Sequence, residues 1–294
     1  FIGCYHGHTD SLLVAAGSGA ETFSVPNSAG VPSAFAETTL LAPYNNLAAV
    51  DRLMGDHGAD VAAVLVEPIA GNMGYVEPLP GFLEGLRSLC DRYGSLLVFD
   101  EVMTGFRVAW GGFQNICGVR PDLTCLGKVI GGGMPVAAFG GPRGIMELLS
   151  PLGPVYQAGT LSGNPIGMAA GIETLRLCRA TDFYDQLQEK AVRLSRGLRE
   201  AAESAHTEVQ VGACGGMLGL AFSERPLRNF DDAKACDHPR FARFFHAMLE
   251  RGVWLPPSGY EAMFVSSAHD DASLAFIIDA AKESFQSESR CQRA

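Results

Sequence analysis

Between residues 61 and 100 an apolar run, a helical pattern and a second apolar run follow one another, and this succession restricts the chain more than any other feature. The runs VAAVLV (61–66) and LLVF (96–99, closing on Asp100) are apolar throughout, as strands buried on both faces must be. Residues 80–93 between them place apolar side chains at helical spacing, open on Pro80 and stop at Gly94, which predicts a connecting helix. Two strands joined by a helix pair in parallel with a right-handed crossover. The expected class is therefore α/β, a mostly parallel sheet flanked by helices.

The pattern continues with a strand at 136–139, a short helix at 145–149 and a longer one at 165–179. From 182 the texture changes. A charged helical stretch over 182–205 gives way to short strands at 209–211 and 217–222, alternating with helices at 241–251 and 274–285. This predicts a large domain over 1–180, a smaller C-terminal α+β domain over 181–285, and a polar, disordered tail over 286–294. With 294 residues, 47% of them apolar, the chain has material for both cores. It opens on Phe1-Ile2-Gly3-Cys4-Tyr5 inside what reads as folded protein, so a cut N-terminus is expected. Residues 15–36, rich in glycine and serine and without clean periodicity, predict a long functional loop.

Several function classes drop out on composition. The formal charge is −10, from 22 Lys+Arg against 32 Asp+Glu, and neither sign forms a block, so no nucleic-acid partner is expected. No apolar run approaches the roughly 20 residues of a membrane span. The eight cysteines never form a C-x-x-C pair, which argues against a disulfide framework or a zinc site.

Four segments could carry chemistry. In LGKVIGGGMP (126–135) Lys128 lies between an apolar approach and three glycines; glycines let backbone come close to a flat ligand, and a partly buried lysine is a better imine-forming amine. A solvated turn lysine fits that segment equally well. Asp100 and Glu101 end the second buried strand, at the edge where open α/β sheets bind ligands. A carboxylate there can pair with a pyridinium nitrogen, cap a helix or bind a metal, and the 28-residue separation from Lys128 suits two residues meeting at one sheet edge. In CYHGH (4–8), His6 and His8 could face one way from an extended segment, with no third metal ligand evident, while Tyr5 could stack on a ring or serve as a core tyrosine. YQAGTLSGNP (156–165) leads a glycine- and hydroxyl-rich turn into a helix, suiting either an anion site or an ordinary cap by Ser162 or Asn164.

Together the segments GCYHGH (3–8), VEPIAGNMG (66–74), FDEVMTGFR (99–107), PDLTCLGKVIGGGMPV (121–136) and VYQAGTLSGNP (155–165) resemble the glutamate-1-semialdehyde aminomutases, within the class III aminotransferase-like, fold-type I pyridoxal-phosphate enzymes. The resemblance runs from residue 1 to about residue 285. It implies that Lys128 forms the internal imine of pyridoxal 5'-phosphate, that Asp100 pairs with the pyridine nitrogen, that Tyr5 and Val102 sandwich the ring, and that Asn72 contacts the ring hydroxyl. Gly159 and Thr160 would bind the cofactor phosphate across the interface of a homodimer with shared active sites. Residues 8–36 would gate the site, with Ser18 near the substrate, and Glu261 falls where the family has an active-site glutamate from its small domain.

The implied reaction is intramolecular amino-group transfer, converting glutamate-1-semialdehyde to 5-aminolevulinate for tetrapyrrole synthesis, with the cofactor entering as pyridoxamine 5'-phosphate. The implied compartment is the cytoplasm, or the plastid stroma in a photosynthetic eukaryote. Two other readings stay open: an aminotransferase of the same class acting on an ω- or β-amino acid, and an inactive fragment that keeps the fold. Two departures from the family accompany the resemblance. Ile2 stands where the family usually has glutamate, and the family's amino-terminal part, with its Ser-Gly-Thr phosphate loop, is expected to be missing.

Overall fold

The computed structural model describes residues 1–14 and 28–291. Its contacts divide the chain into two compact units. One unit combines Asn46–Pro68 with Leu79–Thr181 and contains a four-stranded sheet in sequence order. Strands β1 (Ala63–Val66), β2 (Leu96–Asp100) and β3 (Leu123–Leu126) run parallel, and β4 (Ala138–Gly140) closes the edge antiparallel. Helix α1 (Leu47–His57) precedes β1, helix α2 (Phe82–Tyr93) joins β1 to β2, and helix α3 (Pro165–Cys178) follows β4. The class expected from the sequence is the one found, a mostly parallel sheet flanked by helices.

Helix α2 forms because Phe82, Leu83, Leu86, Leu89 and Cys90 make one buried stripe at helical spacing. It stops at Gly94, whose left-handed backbone (φ 72°) suits a glycine at a helix end. Leu97, Val98 and Phe99 of β2 are buried, as the central position of the strand requires. A polar brace holds the opposite end of that strand. Asp122 accepts a hydrogen bond from Leu97 N–H at 2.7 Å and an ion pair from Arg87 at 2.6 Å, tying the start of β2 to the entry of β3 and to α2.

The other unit comprises Phe1–Asn45, Ile69–Pro78 and the chain from Asp182 onward. Helices α4 (Phe183–Ser204), α5 (His238–Glu250) and α6 (Asp271–Cys291) accompany an antiparallel sheet of β5 (Gln210–Cys214), β6 (Met217–Ala221) and β7 (Met263–Phe264). Leu187, Ala191, Leu194, Leu198 and Ala202 repeat every three or four residues along α4 and join Leu218 and Leu220 of β6, Phe244 and Met248 of α5, and Leu274, Ala281 and Phe285 of α6 in one buried cluster. The Phe244 and Phe285 rings stack at 4.3 Å. Gly197 lets α4 and α6 approach, since a methyl group there would overlap Ile278.

Residues 286–291 correct an expectation, because they continue α6 rather than forming a disordered tail. Glu288 is buried and pairs with Arg240 at 2.7 Å and with Arg243 at 2.9 Å. A polar sequence was read as solvated, whereas its carboxylate has two cations from α5 to face. Among the described residues no helix is long and apolar enough to cross a membrane.

Candidate active site

The end of β2 and the turn after β3 bring Asp100 and Lys128 to the same edge of the sheet. The strands are parallel neighbours with Asp100 opposite Cys125, and Lys128 follows three residues beyond Cys125. Asp100 is 7% exposed, and one of its carboxylate oxygens accepts the Val102 N–H at 3.0 Å. Lys128 opens a short 3₁₀ turn, Lys128–Gly131. It is exposed, the solvated-turn alternative of the two the sequence left open, because the chain has already left the sheet when it reaches it. Its backbone has φ 45°, an unfavourable conformation for a lysine that the surrounding packing must hold.

That packing comes from α3. A methyl group on Gly171 would overlap the Ile130 carbonyl, and one on Gly132 would overlap Thr174 Oγ1, so glycine on each side lets the lysine turn sit against the helix. Gly131 is buried against Val136, and Gly133, at φ 91°, has open space around it. The glycine run beside Lys128, read from the sequence as room for a flat ligand, serves in good part to seat the turn on a helix. On the other side Val102 approaches the lysine turn, since a methyl group on Gly127 would lie 3.1 Å from Val102 Cγ1.

The acidic pair splits by direction. Asp100 stays at the sheet edge, whereas Glu101 is fully buried and its carboxylate accepts hydrogen bonds from Thr104 Oγ1 at 2.5 Å, Phe113 N–H at 2.8 Å and Gln114 N–H at 2.9 Å. Burial raises the Glu101 carboxyl above the usual range, opposed by those three donors. This network was missed in the sequence. The adjacent glycines 111 and 112 were its one signal, since a methyl group on Gly112 would overlap the Glu101 carboxylate.

Gly159 and Thr160 are exposed on the turn that leads into α3. Within that turn the Ser162 N–H donates to Gly159 O at 2.9 Å and the Asn164 N–H to Leu161 O at 3.2 Å. Asn164, rather than Ser162, caps the helix by accepting the Gly167 N–H at 2.8 Å. Around the turn lie Tyr156, Leu161, Ile166 and Ile172, all strongly exposed.

The remaining expected site residues belong to the other unit. Tyr5 is exposed, so it is not a core tyrosine, while Asn72 and Glu261 are half-buried. Local packing assembles their segments. Gly3 permits close approach of Met73, whose Sδ a methyl group would meet at 2.8 Å, and the Gly74 N–H donates to Tyr260 O at 2.7 Å. The Tyr75 ring lies against Gly212 and Gly219, which are cross-strand partners in β5 and β6, and its hydroxyl donates to Glu77 at 2.5 Å. The segments bearing Tyr5, Asn72 and Glu261 are thus held together within one unit. Ser18 lies outside the described residues. Among those described, no group of three or more His, Cys, Asp or Glu could hold a metal ion.

A family model described as aminotransferase class-III matches residues 1–280. Among solved structures, an omega-transaminase from Sphaerobacter thermophilus is 30% identical with a TM-score of 0.89, over 98% of this chain and 67% of that one. A beta-phenylalanine aminotransferase from Variovorax paradoxus is 31% identical with a TM-score of 0.79, over 96% and 62%. A glutamate-1-semialdehyde-aminomutase from Pseudomonas aeruginosa PAO1, in complex with PMP, is 27% identical with a TM-score of 0.82, over 96% and 64%. The chain spans about two thirds of the length of these structures.

Proposed function

The chain belongs to the class-III aminotransferase family, and from that premise we propose that it moves amino groups with pyridoxal phosphate held on Lys128, converting glutamate-1-semialdehyde to 5-aminolevulinate. The observation that carries the reading is the meeting of Asp100 and Lys128 at the ends of adjacent parallel strands. That donor set fits the cofactor. An exposed amine can bond to its aldehyde, and a carboxylate already oriented by the Val102 N–H can accept a hydrogen bond from its ring nitrogen.

When bound, the cofactor supplies an electron sink that lets a proton leave the carbon beside the substrate nitrogen. Asp100 would keep the ring nitrogen protonated, and Val102 and Tyr5 would flank the ring. Asn72 would contact the ring hydroxyl. Lys128 Nζ would take up and return the proton at the substrate carbon that bears the nitrogen. Glu261 would stand near the substrate; Ser18 and most of the loop expected over 15–36 lie outside the described residues.

Gly159 and Thr160 would serve the cofactor phosphate of a second copy of this chain, giving a homodimer with shared sites. The exposed apolar side chains Tyr156, Leu161, Ile166 and Ile172 beside them support that pairing.

The aminomutase reading rests on the combination of VMTGFRVAWGG (102–112) with YQAGTLSGNP (156–165) and is supported by the likeness to the Pseudomonas enzyme. A second reading, transamination of an ω- or β-amino acid, is supported by likeness at 30% and 31% identity to enzymes of those descriptions. Product analysis separates the two. An aminomutase forms 5-aminolevulinate from glutamate-1-semialdehyde with no added amino acceptor. If instead β-phenylalanine or an ω-amine is consumed only when a 2-oxo acid is supplied, and no 5-aminolevulinate forms, the second reading replaces the first.

A further inference from the structure

Glu101 is fully engaged beside the proposed site, its carboxylate bonded to Thr104, Phe113 and Gln114 rather than at the strand edge that holds Asp100. It is 0% exposed. Its backbone N–H donates to Cys125 O at 2.9 Å, on the strand leading to Lys128, and its carbonyl accepts from Gly105 N–H at 2.7 Å. Both carboxylate oxygens are used as well, one by Thr104 Oγ1 and Phe113 N–H, the other by Gln114 N–H. The chain between 102 and 112 therefore leaves from Glu101 and returns to it.

A buried carboxylate is an expensive way to fill space, because it loses its hydration and gains only what its donors return. An apolar side chain would fill the same volume at less cost. What the carboxylate does, and an apolar group cannot, is hold the Thr104 hydroxyl and the adjacent backbone N–H groups of Phe113 and Gln114 at fixed distances from one atom group. The residues on either side of it are Asp100 and Val102. They are coupled to each other through the Val102 N–H to Asp100 bond, and Val102 is coupled to the lysine turn through Gly127.

We propose that Glu101 is a positioning residue, whose carboxylate anchors Thr104, Phe113 and Gln114 and so fixes the direction in which Asp100 and Val102 leave the end of β2. This inference rests on the reading of Asp100 as the partner of the cofactor's ring nitrogen. It extends that reading to a residue whose carboxylate bonds are all made within the chain, to Thr104, Phe113 and Gln114. Burial keeps the network dry, which strengthens each of its hydrogen bonds.

The test compares the 294-residue chain with Glu101→Gln, Thr104→Val and Lys128→Ala, each titrated with pyridoxal phosphate. Glu101→Gln preserves shape but turns an NH₂ group toward donors. Thr104→Val keeps the carboxylate and removes one donor. Three quantities are read: near-UV circular dichroism and melting without cofactor, affinity from the absorbance the cofactor gains on bonding to a lysine amine, and the pH midpoint of that absorbance. A folded Glu101→Gln should bind about tenfold more weakly, the order of one lost hydrogen bond to a charged group. Its midpoint should move as well, because that midpoint senses the protonation Asp100 maintains on the ring. Thr104→Val should change both in the same direction by less.

A purely structural role lowers melting and leaves affinity and midpoint at wild-type values in whichever variant folds; that result overturns the proposal, as does failure of both variants to fold. A wild-type chain with no Lys128-dependent absorbance overturns the functional reading and this inference with it. Wild-type absorbance with unchanged Glu101→Gln and Thr104→Val values removes this inference alone.

Discussion

Two regions of the molecule dispose of their apolar side chains in opposite ways. In the unit from Asp182 onward, α4, α5, α6 and the hairpin bury Leu187, Leu198, Phe244, Met248 and Phe285 in one cluster. In the sheet unit, the stretch around α3 leaves Leu152, Tyr156, Leu161, Ile166 and Ile172 largely exposed, Tyr156 at 83%. The first packs that cluster on itself, with Trp254 and Phe276 left exposed outside it. The second carries, beside the turn of Gly159 and Thr160, a surface of the kind that a partner covers. A chain of one overall composition can thus hold a well-packed core and, elsewhere, a run of exposed apolar side chains.

The largest effect expected from this contrast lies in the well-packed core. Phe285→Ala removes a ring stacked on Phe244 and in contact with Phe222 and should cost about 3–5 kcal/mol, measured by urea unfolding. A loss near zero would mean the core collapses around the gap. Next is the apolar face, where Ile172→Asp should leave the melting of a dilute sample nearly unchanged but weaken self-association by about 2 kcal/mol, roughly thirtyfold, measured by sedimentation equilibrium. Unchanged association would break the comparison, since the face would then have no partner in a second copy.

The smallest effect concerns how each unit places its charges. Asp122 of the sheet unit is partly exposed. Burial alone would raise its pKa, but Arg87 and the Leu97 N–H hold it below the usual carboxylate value. A depressed folded-state pKa gives stability that is present above the unfolded value, near 3.9, and is lost as pH falls through the folded one. Wild type should therefore lose stability more steeply than Asp122→Asn below about pH 4, read from thermal melts across pH. Parallel curves would show the brace contributes nothing to folding.

Much of the sheet unit was legible in the sequence, and the reason is physical. Strand β2 is buried, so its run is apolar without interruption, and α2 carries a full stripe and a glycine stop; β1 has an equally apolar run but is buried only at Val66, with Ala63 exposed, so the expectation of burial on both faces fails there. Helix α1 was missed because it buries little beyond Val50 and Met54. The grouping of the first 45 residues and of 69–78 with the C-terminal residues had no local sign. It depends on contacts such as Gly74 with Tyr260 and Tyr75 with Gly212 and Gly219, which join residues far apart in sequence. At the site, Asp100 was legible because it ends the buried run of β2, and Lys128 because three glycines follow it; β3, which leads to Lys128, was missed because it is only half-buried. The separate duties of Asp100 and Glu101 were not, because two adjacent acids look alike until the strand aims one inward.

The central claim, that the edge shared by β2 and β3 holds pyridoxal phosphate on Lys128, is tested most directly by adding the cofactor to the wild-type chain and to Lys128→Ala and recording the absorbance of the lysine-bonded form. The account predicts a saturable signal in wild type that is absent from a folded Lys128→Ala, with any amino-transfer rate falling by about 10²–10⁴-fold or more. An equal signal in both proteins, or none in either, would contradict it.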